Sequence, residues 1–261
     1  MHCSLRPVFV FVFIVTLILS PFFISGSNSS NIKVEPKPAV ATIIAPIDLT
    51  PTPEVKTRAE LLIEEAGSLY DSMRLKKFGL TRKAFEYAWT GYSTMLEDGQ
   101  IENPEIISIC DFSQSSRKKR LYVIDLDEMK VLVNTYVAHG RKSGGEFARS
   151  FSNSPESHKS SLGFYITGKS YFGQHGLALK IVGLERGIND RANARNIVIH
   201  GSDYVGDKFI KNNPFNGRSF GCPAVPEKQT RKIINTIKDG TCLFIYHPTK
   251  NYLAKSKLLK G

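Results

Sequence analysis

The hydrophobic period of this chain changes once, near residue 106, and that change sets what it can fold into. Before it the spacing is helical. Thr57-Arg58-Ala59-Glu60 has the T-x-x-E form of a capping box, and Leu62, Ala66, Leu69, Tyr70 and Met73 follow three and four apart. A second helix is expected from Thr81 to about Asp98-Gly99, with Ala84, Phe85, Ala88, Trp89 and Tyr92 on one face. Trp89 and Tyr92 have the faces to stack on sugars, but an aromatic stripe at helical spacing reads first as core.

After the change come short β-type runs at 106–112, 121–126, 131–138, 162–167, 177–184, 196–199 and 242–246, separated by glycine-rich loops. Asp127-Glu128-Met129-Lys130 joins two of them as a hairpin, and residues 227–238 form a late helix stopped by Gly240. The expectation is a mainly β domain with few helices over 101–250, with the helix pair of 57–100 packed on it. A domain of ~150 residues is of ordinary size. Residues 251–261 read as a basic tail.

The first 27 residues read as an export signal. Arg6 supplies the positive start, residues 8–19 are apolar apart from Thr16, and Ser25-Gly26-Ser27 offers small residues for cleavage. An uncleaved anchor is the alternative, since the apolar stretch approaches a membrane span in length. Either way the rest is expected outside the cytoplasm, in a periplasm or at a cell wall. Residues 28–56 carry prolines at 36, 38, 46, 51 and 53 and read as an extended linker. The formal charge is +11, and about +10 once Arg6 leaves with the leader (34 basic, 24 acidic). Outside the cytoplasm, that charge suits an anionic wall or membrane surface better than nucleic acid.

Candidate chemistry sits in Ile199-His200-Gly201-Ser202-Asp203 and Arg218-Ser219-Phe220-Gly221-Cys222-Pro223-Ala224. A cysteine nucleophile needs a base, a partner that orients the base, and donors for an oxyanion. His200 at a strand end is a candidate base, and the turn around Gly221 a candidate oxyanion hole. A buried structural cysteine and a satisfied strand-end histidine are the bland readings of the same two residues. No C-x-x-C or H-E-x-x-H zinc pattern occurs.

These segments resemble the L,D-transpeptidases that act on peptidoglycan, in the branch called the murein L,D-transpeptidase catalytic domain. The likeness rests on His200-Gly201, Ser219-x-Gly221-Cys222-Pro223-Ala224, Ala138-His139-Gly140, the run from Ser150 to Asn153, and Gly187-Ile188-Asn189-Asp190, and covers residues 81–248. Two positions depart from the wider family: Phe220 stands where a histidine precedes Gly-Cys, and Ala224 where an Arg or Asn helps position substrate.

The resemblance implies the fold of the L,D-transpeptidase catalytic domain, a β-sandwich or mixed sheet, and a Cys222 thioester enzyme acting on tetrapeptide stems without metal or cofactor. His200 would be the base, the Gly201 carbonyl its orienting partner, and the N–H groups of Phe220, Gly221 and Cys222 the oxyanion donors. Arg218 is the first candidate for reading a substrate carboxylate in place of the family's residue. Ser219 and Arg141 are further substrate contacts, and Lys142 an outside one. An L,D-carboxypeptidase on the same site and a non-catalytic wall-binding module are the alternatives. Cys110 and Cys242 are expected as buried thiols, with a disulfide between them as the alternative. The run Arg117-Lys118-Lys119-Arg120 is expected as a solvated turn. His139, His158 and His175 are expected mostly at the surface, with a three-histidine zinc site as the minor reading.

Overall fold

The computed structural model describes residues 56–174 and 176–260. The leader at 1–27, all of the linker except Lys56, and His175 lie outside the described residues. Among those described, no helix is long and apolar enough to cross a membrane.

Helix α1 (Arg58–Ser72) starts at the expected capping box. The Thr57 side chain accepts from Glu60 N–H, and the Glu60 carboxylate accepts from Thr57 N–H. Helix α2 (Arg82–Glu97) is capped by Thr81 and buries Ala84, Phe85, Ala88 and Tyr92. The aromatic stripe is internal packing: Trp89 stacks on Phe85 and Tyr92 at 6.4 and 5.3 Å, and its Nε1 donates to Glu65 of α1. Gly91 brings α2 down onto the sheet, because a Cβ there would lie 2.0 Å from the Phe164 ring.

The strands are β1 (Ile106–Asp111), β2 (Leu121–Asp125), β3 (Lys130–Thr135), β4 (Gly163–Gly173), β5 (Gly176–Gly183), β6 (Val198–Ser202), β7 (Ala224–Pro226) and β8 (Cys242–Tyr246). Of the two expected arrangements the mixed sheet is found: all eight lie in one sheet, ordered β3-β2-β1-β8-β4-β5-β6-β7. Pairs β1–β8 and β6–β7 are parallel and the rest antiparallel. Single bridges join Ala138 to Ala224 and Gly140 to Ser219. They tie the chain leaving edge strand β3 to the opposite edge at β7, so the two edges of the sheet are drawn together.

Strand β8 is buried along its whole length, and Phe244 stacks on Phe164 at 4.1 Å in the core. The first half of β4 is buried and the second half is largely exposed. The β4–β5 hairpin therefore extends beyond the core as a ribbon. Helix α4 (Thr230–Ile237) buries Ile233, Ile234 and Ile237, as its periodicity predicts.

Three elements escape the periodicity: α3 (Asp207–Asn212), β7 and α5 (Lys250–Lys255). The segment read as a basic tail folds back as α5, with Tyr252 and Ser256 buried. Both hydroxyls donate to the Glu185 carboxylate, which also accepts from Phe164 N–H at 2.9 Å.

Cys110 and Cys242 are buried free thiols, and the disulfide alternative does not hold. In the β1–β8 ladder Cys242 faces Ile107, three positions from Cys110. Three residues of strand span roughly 10 Å, beyond the Cα separation a disulfide bridges.

Candidate active site

Strand β6 carries His200 at its centre, paired with Ala178 of β5 on one side and Ala224 of β7 on the other. The strand runs on to Ser202, so His200 is a strand residue rather than the strand end that its sequence suggests. Ala224 lies two residues beyond Cys222. The parallel pairing of β6 with β7 therefore brings the imidazole and the sulfur into the lining of one cavity of about 560 Å³.

The His200 Nδ1 lies 2.9 Å from the Gly201 carbonyl oxygen. A carbonyl only accepts, so Nδ1 holds the proton of the neutral ring and the basic lone pair is on Nε2. Gly201 has a second task. A Cβ there would meet Thr230 Oγ1 at 2.2 Å, so its absence lets β6 lie against α4.

Cys222 is partly buried. Its sulfur accepts from Val198 N–H at 3.5 Å and faces the Asn196 carbonyl at 3.7 Å. Burial pushes the thiol up; the Val198 N–H and the Arg195 charge pull the other way without overcoming it. The resting group is therefore a thiol that needs a base to become nucleophilic.

Backbone and hydroxyl contacts clamp the turn before Cys222. Ser219 N–H donates to the His139 carbonyl at 3.1 Å, and Arg141 N–H to the Ser219 carbonyl at 2.7 Å. Ser160 Oγ, fully buried, accepts from Gly140 N–H and donates to the Gly221 carbonyl, both at 3.0 Å. Gly221 has φ +131°, and a Cβ there would stand 2.9 Å from the Lys159 carbonyl oxygen, so this turn requires glycine.

One expected role changes. Ser219 lines the cavity but is largely buried: its hydroxyl donates to the Cys222 carbonyl at 2.6 Å and accepts from Gly221 N–H at 3.0 Å. The same bond occupies the Gly221 N–H, which removes it from the oxyanion donors and leaves those of Phe220 and Cys222.

Arg218 does line the cavity, though its guanidinium also donates to the Gly144 carbonyl at 3.0 Å. Arg141 is not among the lining residues. Its guanidinium lies over the Phe220 ring at 4.4 Å and contacts His158 Nδ1 at 3.0 Å. Phe220 is 62% exposed and also meets His158 edge-on, so it forms part of the rim.

Arg195 gave no signal in the sequence. It lines the cavity and bears electrostatically on Cys222. Its guanidinium is spent on the 152–161 segment, donating to the carbonyls of Ser152 and Lys159 and to the hydroxyls of Ser157 and Ser161. Tyr171 of the β4–β5 ribbon and Tyr204 complete the apolar part of the wall. No local pattern marks either, because the sheet brings them in from distant segments.

The run 117–120 is not wholly a solvated turn. Arg120 is fully buried, donating to the carbonyls of Val137 and Gln114 and to His139 Nδ1, with Phe112 below it at 4.8 Å. Burial pushes Arg120 down to about 10. His139, expected near the surface, is fully buried; burial first and the Arg120 charge second push it down to about 3. A guanidinium only donates, so His139 is neutral with a bare Nδ1. This pair underpins the 138–141 segment that clamps the cysteine turn. Among the described residues no cluster of His, Cys, Asp or Glu is arranged for a metal ion.

Comparison with known proteins gives a family. The L,D-transpeptidase catalytic domain matches residues 76–246. No curated protein sequence matches the chain. Among solved structures, the chain is similar to an L,D-transpeptidase from Mycobacterium smegmatis at 9% identity and TM-score 0.34, over 55% of this chain and 59% of that one. It is similar to the helical cell shape determining protein from Campylobacter jejuni at 15% identity and TM-score 0.38, over 65% and 59%. A third similar structure, an L,D-transpeptidase from Stackebrandtia nassauensis, has 11% identity and TM-score 0.34, over 70% and 76%. The chain thus spans about three-fifths of the length of the first two. The family match takes in β1 to β8 and both cavity-lining groups, His200 and Cys222, and extends over well more than half of the sequence: the chain belongs to the L,D-transpeptidase catalytic domain family.

Proposed function

We propose that this protein is an exported cysteine L,D-transpeptidase acting on peptidoglycan tetrapeptide stems. The supporting observation is the shared cavity of Cys222 and His200, with the His200 Nδ1 proton directed at the Gly201 carbonyl. His200 Nε2 takes the thiol proton, and the sulfur attacks the carbonyl carbon of the third, diamino-acid residue. The C–N bond to the terminal D-alanine breaks, and that amine leaves with the proton from His200. An amine of a second stem then attacks the thioester, the C–S bond breaks, and the sulfur regains a proton through His200. The N–H groups of Phe220 and Cys222 face the developing oxyanion; one such donor is worth ~3 kcal/mol. Arg218 reads a stem carboxylate. Phe220 at the rim replaces the family histidine and leaves base catalysis to His200 alone.

Purified protein incubated with tetrapeptide stems is expected to give dimers and free D-alanine, and Cys222→Ala to give neither. Tripeptide without dimers would mean water is the acceptor and the L,D-carboxypeptidase reading holds. A carbapenem is expected to add once to the parent and not to Cys222→Ala by intact mass. Neither reaction in the parent, with sacculi still bound, would leave the wall-binding reading. Export is tested by the mass of the mature N-terminus and by cell fractionation. A chain retained in the cytoplasm with residues 1–27 intact would refute it.

A further inference from the structure

A second cavity, of about 280 Å³, shares no lining residue with the catalytic one. Its walls are two sequence motifs that the chemistry at Cys222 leaves unused, the run from Ser150 to Asn153 and the turn at Gly187-Ile188, together with helix α5. Hydrogen bonds tie the motifs to each other: Asn153 Nδ2 donates to Asp190 at 2.6 Å, and Arg191 N–H to Asn153 Oδ1 at 3.1 Å. Two cations line the cavity, Arg149 and Lys255, and no acidic residue does. Both cations are exposed, and among the described residues neither is in an ion pair. The carboxylates next to the Gly187-Ile188 turn are closed off. Asp190 accepts from Asn153 and from Gly187 N–H, and Glu185 from Phe164 N–H, Tyr252 and Ser256. Ser152 Oγ accepts from Ser154 N–H and keeps its own proton to give, and the Thr249 hydroxyl makes no capping bond to α5. The open polar groups of the lining are therefore mainly donors, two of them charged, and such a lining calls for an acceptor-rich anion. None of the large exposed apolar side chains lines this cavity, so it lacks the apolar face with which a protein enters a lipid surface.

We propose that this second cavity binds an oxyanion, phosphate or carboxylate, carried by one unit of an anionic wall polymer. Arg149 presents a planar fork to two of its oxygens and Lys255 a point charge. The hydroxyls of Ser152 and Thr249 and the Asn251 amide meet the remaining oxygens of that unit. A volume at the lower end of small-ligand sites gives room for about one such unit. The site holds the protein on its polymer and takes no part in the chemistry at Cys222. The choice of a wall polymer rests on the function proposed above, whereas the preference for an anion rests on this cavity alone.

The test is calorimetric titration of the intact protein at low salt with N-acetylglucosamine 1-phosphate, with glucuronate and with neutral N-acetylglucosamine. Saturable binding of the sugar phosphate, of glucuronate or of both is expected, about tenfold or more tighter than the neutral sugar and about tenfold or more weaker in the double variant Arg149→Gln/Lys255→Gln. The tighter of the two anions names the group. Lys76→Gln/Lys77→Gln, which removes two exposed cations elsewhere, is expected to bind as the parent does. No saturable anion binding, equal binding of the neutral sugar, or equal loss in the two double variants overturns the proposal. So does capture by phosphatidylglycerol vesicles without binding to a soluble glycerol phosphate polymer or to glucuronate, which would assign the anion to a membrane. Acylation of Cys222 by a carbapenem, read by intact mass, is expected at the parental rate in Arg149→Gln/Lys255→Gln. Its absence from the parent would count against the function reading and leave the anion site standing, so the two failures are distinguishable.

Discussion

Removing the Ser160 hydroxyl tests whether the cysteine turn is held as described. Ser160 Oγ accepts from Gly140 N–H and donates to the Gly221 carbonyl, each at 3.0 Å, and it is fully buried. Ser160→Ala strands both backbone groups in the interior. An unmade buried hydrogen bond costs ~1–3 kcal/mol, and partial entry of water holds the pair to the lower part of that range. The expected destabilisation is therefore about 2–3 kcal/mol. At ~2–4 °C per kcal/mol for a domain of this size, the melting temperature should fall by roughly 4–12 °C.

The same bond fixes Gly221 between the two N–H groups assigned to the oxyanion. Misaligning them by the equivalent of about 1.4 kcal/mol slows Cys222 acylation roughly tenfold. Thermal unfolding read by circular dichroism gives the first quantity, and intact-mass kinetics with a carbapenem or stem peptide the second. A variant that melts within about 1 °C of the parent and acylates at the parental rate would refute the clamp.

Three further predictions follow from other parts of the structure. Gly221→Ala forces a Cβ to 2.9 Å from the Lys159 carbonyl oxygen at φ +131°; it should cost ~1–3 kcal/mol and slow acylation more than it lowers the melting temperature, and parental kinetics would contradict this. His139 is held neutral, with its pKa pushed down from 6.5 to about 3 by burial and then by Arg120. The unfolded chain binds this proton near pH 6.5 and the folded chain only near 3, so the stability it contributes is present above pH 6.5 and lost as pH falls toward 3. Glu185, raised by burial, contributes the opposite sign, so the measurement is the difference between parent and His139→Gln in urea unfolding across that window; identical slopes would remove His139 from the account. Glu185→Ala leaves Phe164 N–H and the hydroxyls of Tyr252 and Ser256 without their acceptor. It should cost about 3 kcal/mol or more and open residues 250–260 to limited proteolysis, whereas a protease-resistant C-terminus would show that α5 docks by other contacts.

Much of this protein is legible in one dimension. The capping box at Thr57, the apolar face of α2, the hairpin of β2 and β3 and the inner face of α4 are patterns within a few residues, because helix and strand periods are local properties of the backbone. The residues of both site segments were likewise recognisable, and the Gly201 carbonyl lies where the imidazole was expected to find it.

What only the tertiary structure decided are partnerships between distant segments. The three-residue β7 is too short to show a period and exists because β6 lies beside it. The Gly221 N–H reads in sequence as an oxyanion donor, and folding engages it with the Ser219 hydroxyl. Arg120 sits in a basic run, yet its guanidinium is enclosed by carbonyls and an imidazole from other segments. Arg195 bears on the Cys222 thiol through its charge from a place fixed by its hydrogen bonds to the 152–161 segment. Hydrogen-bond partners and burial depend on which segments the sheet brings together, and that choice is made by the whole core at once.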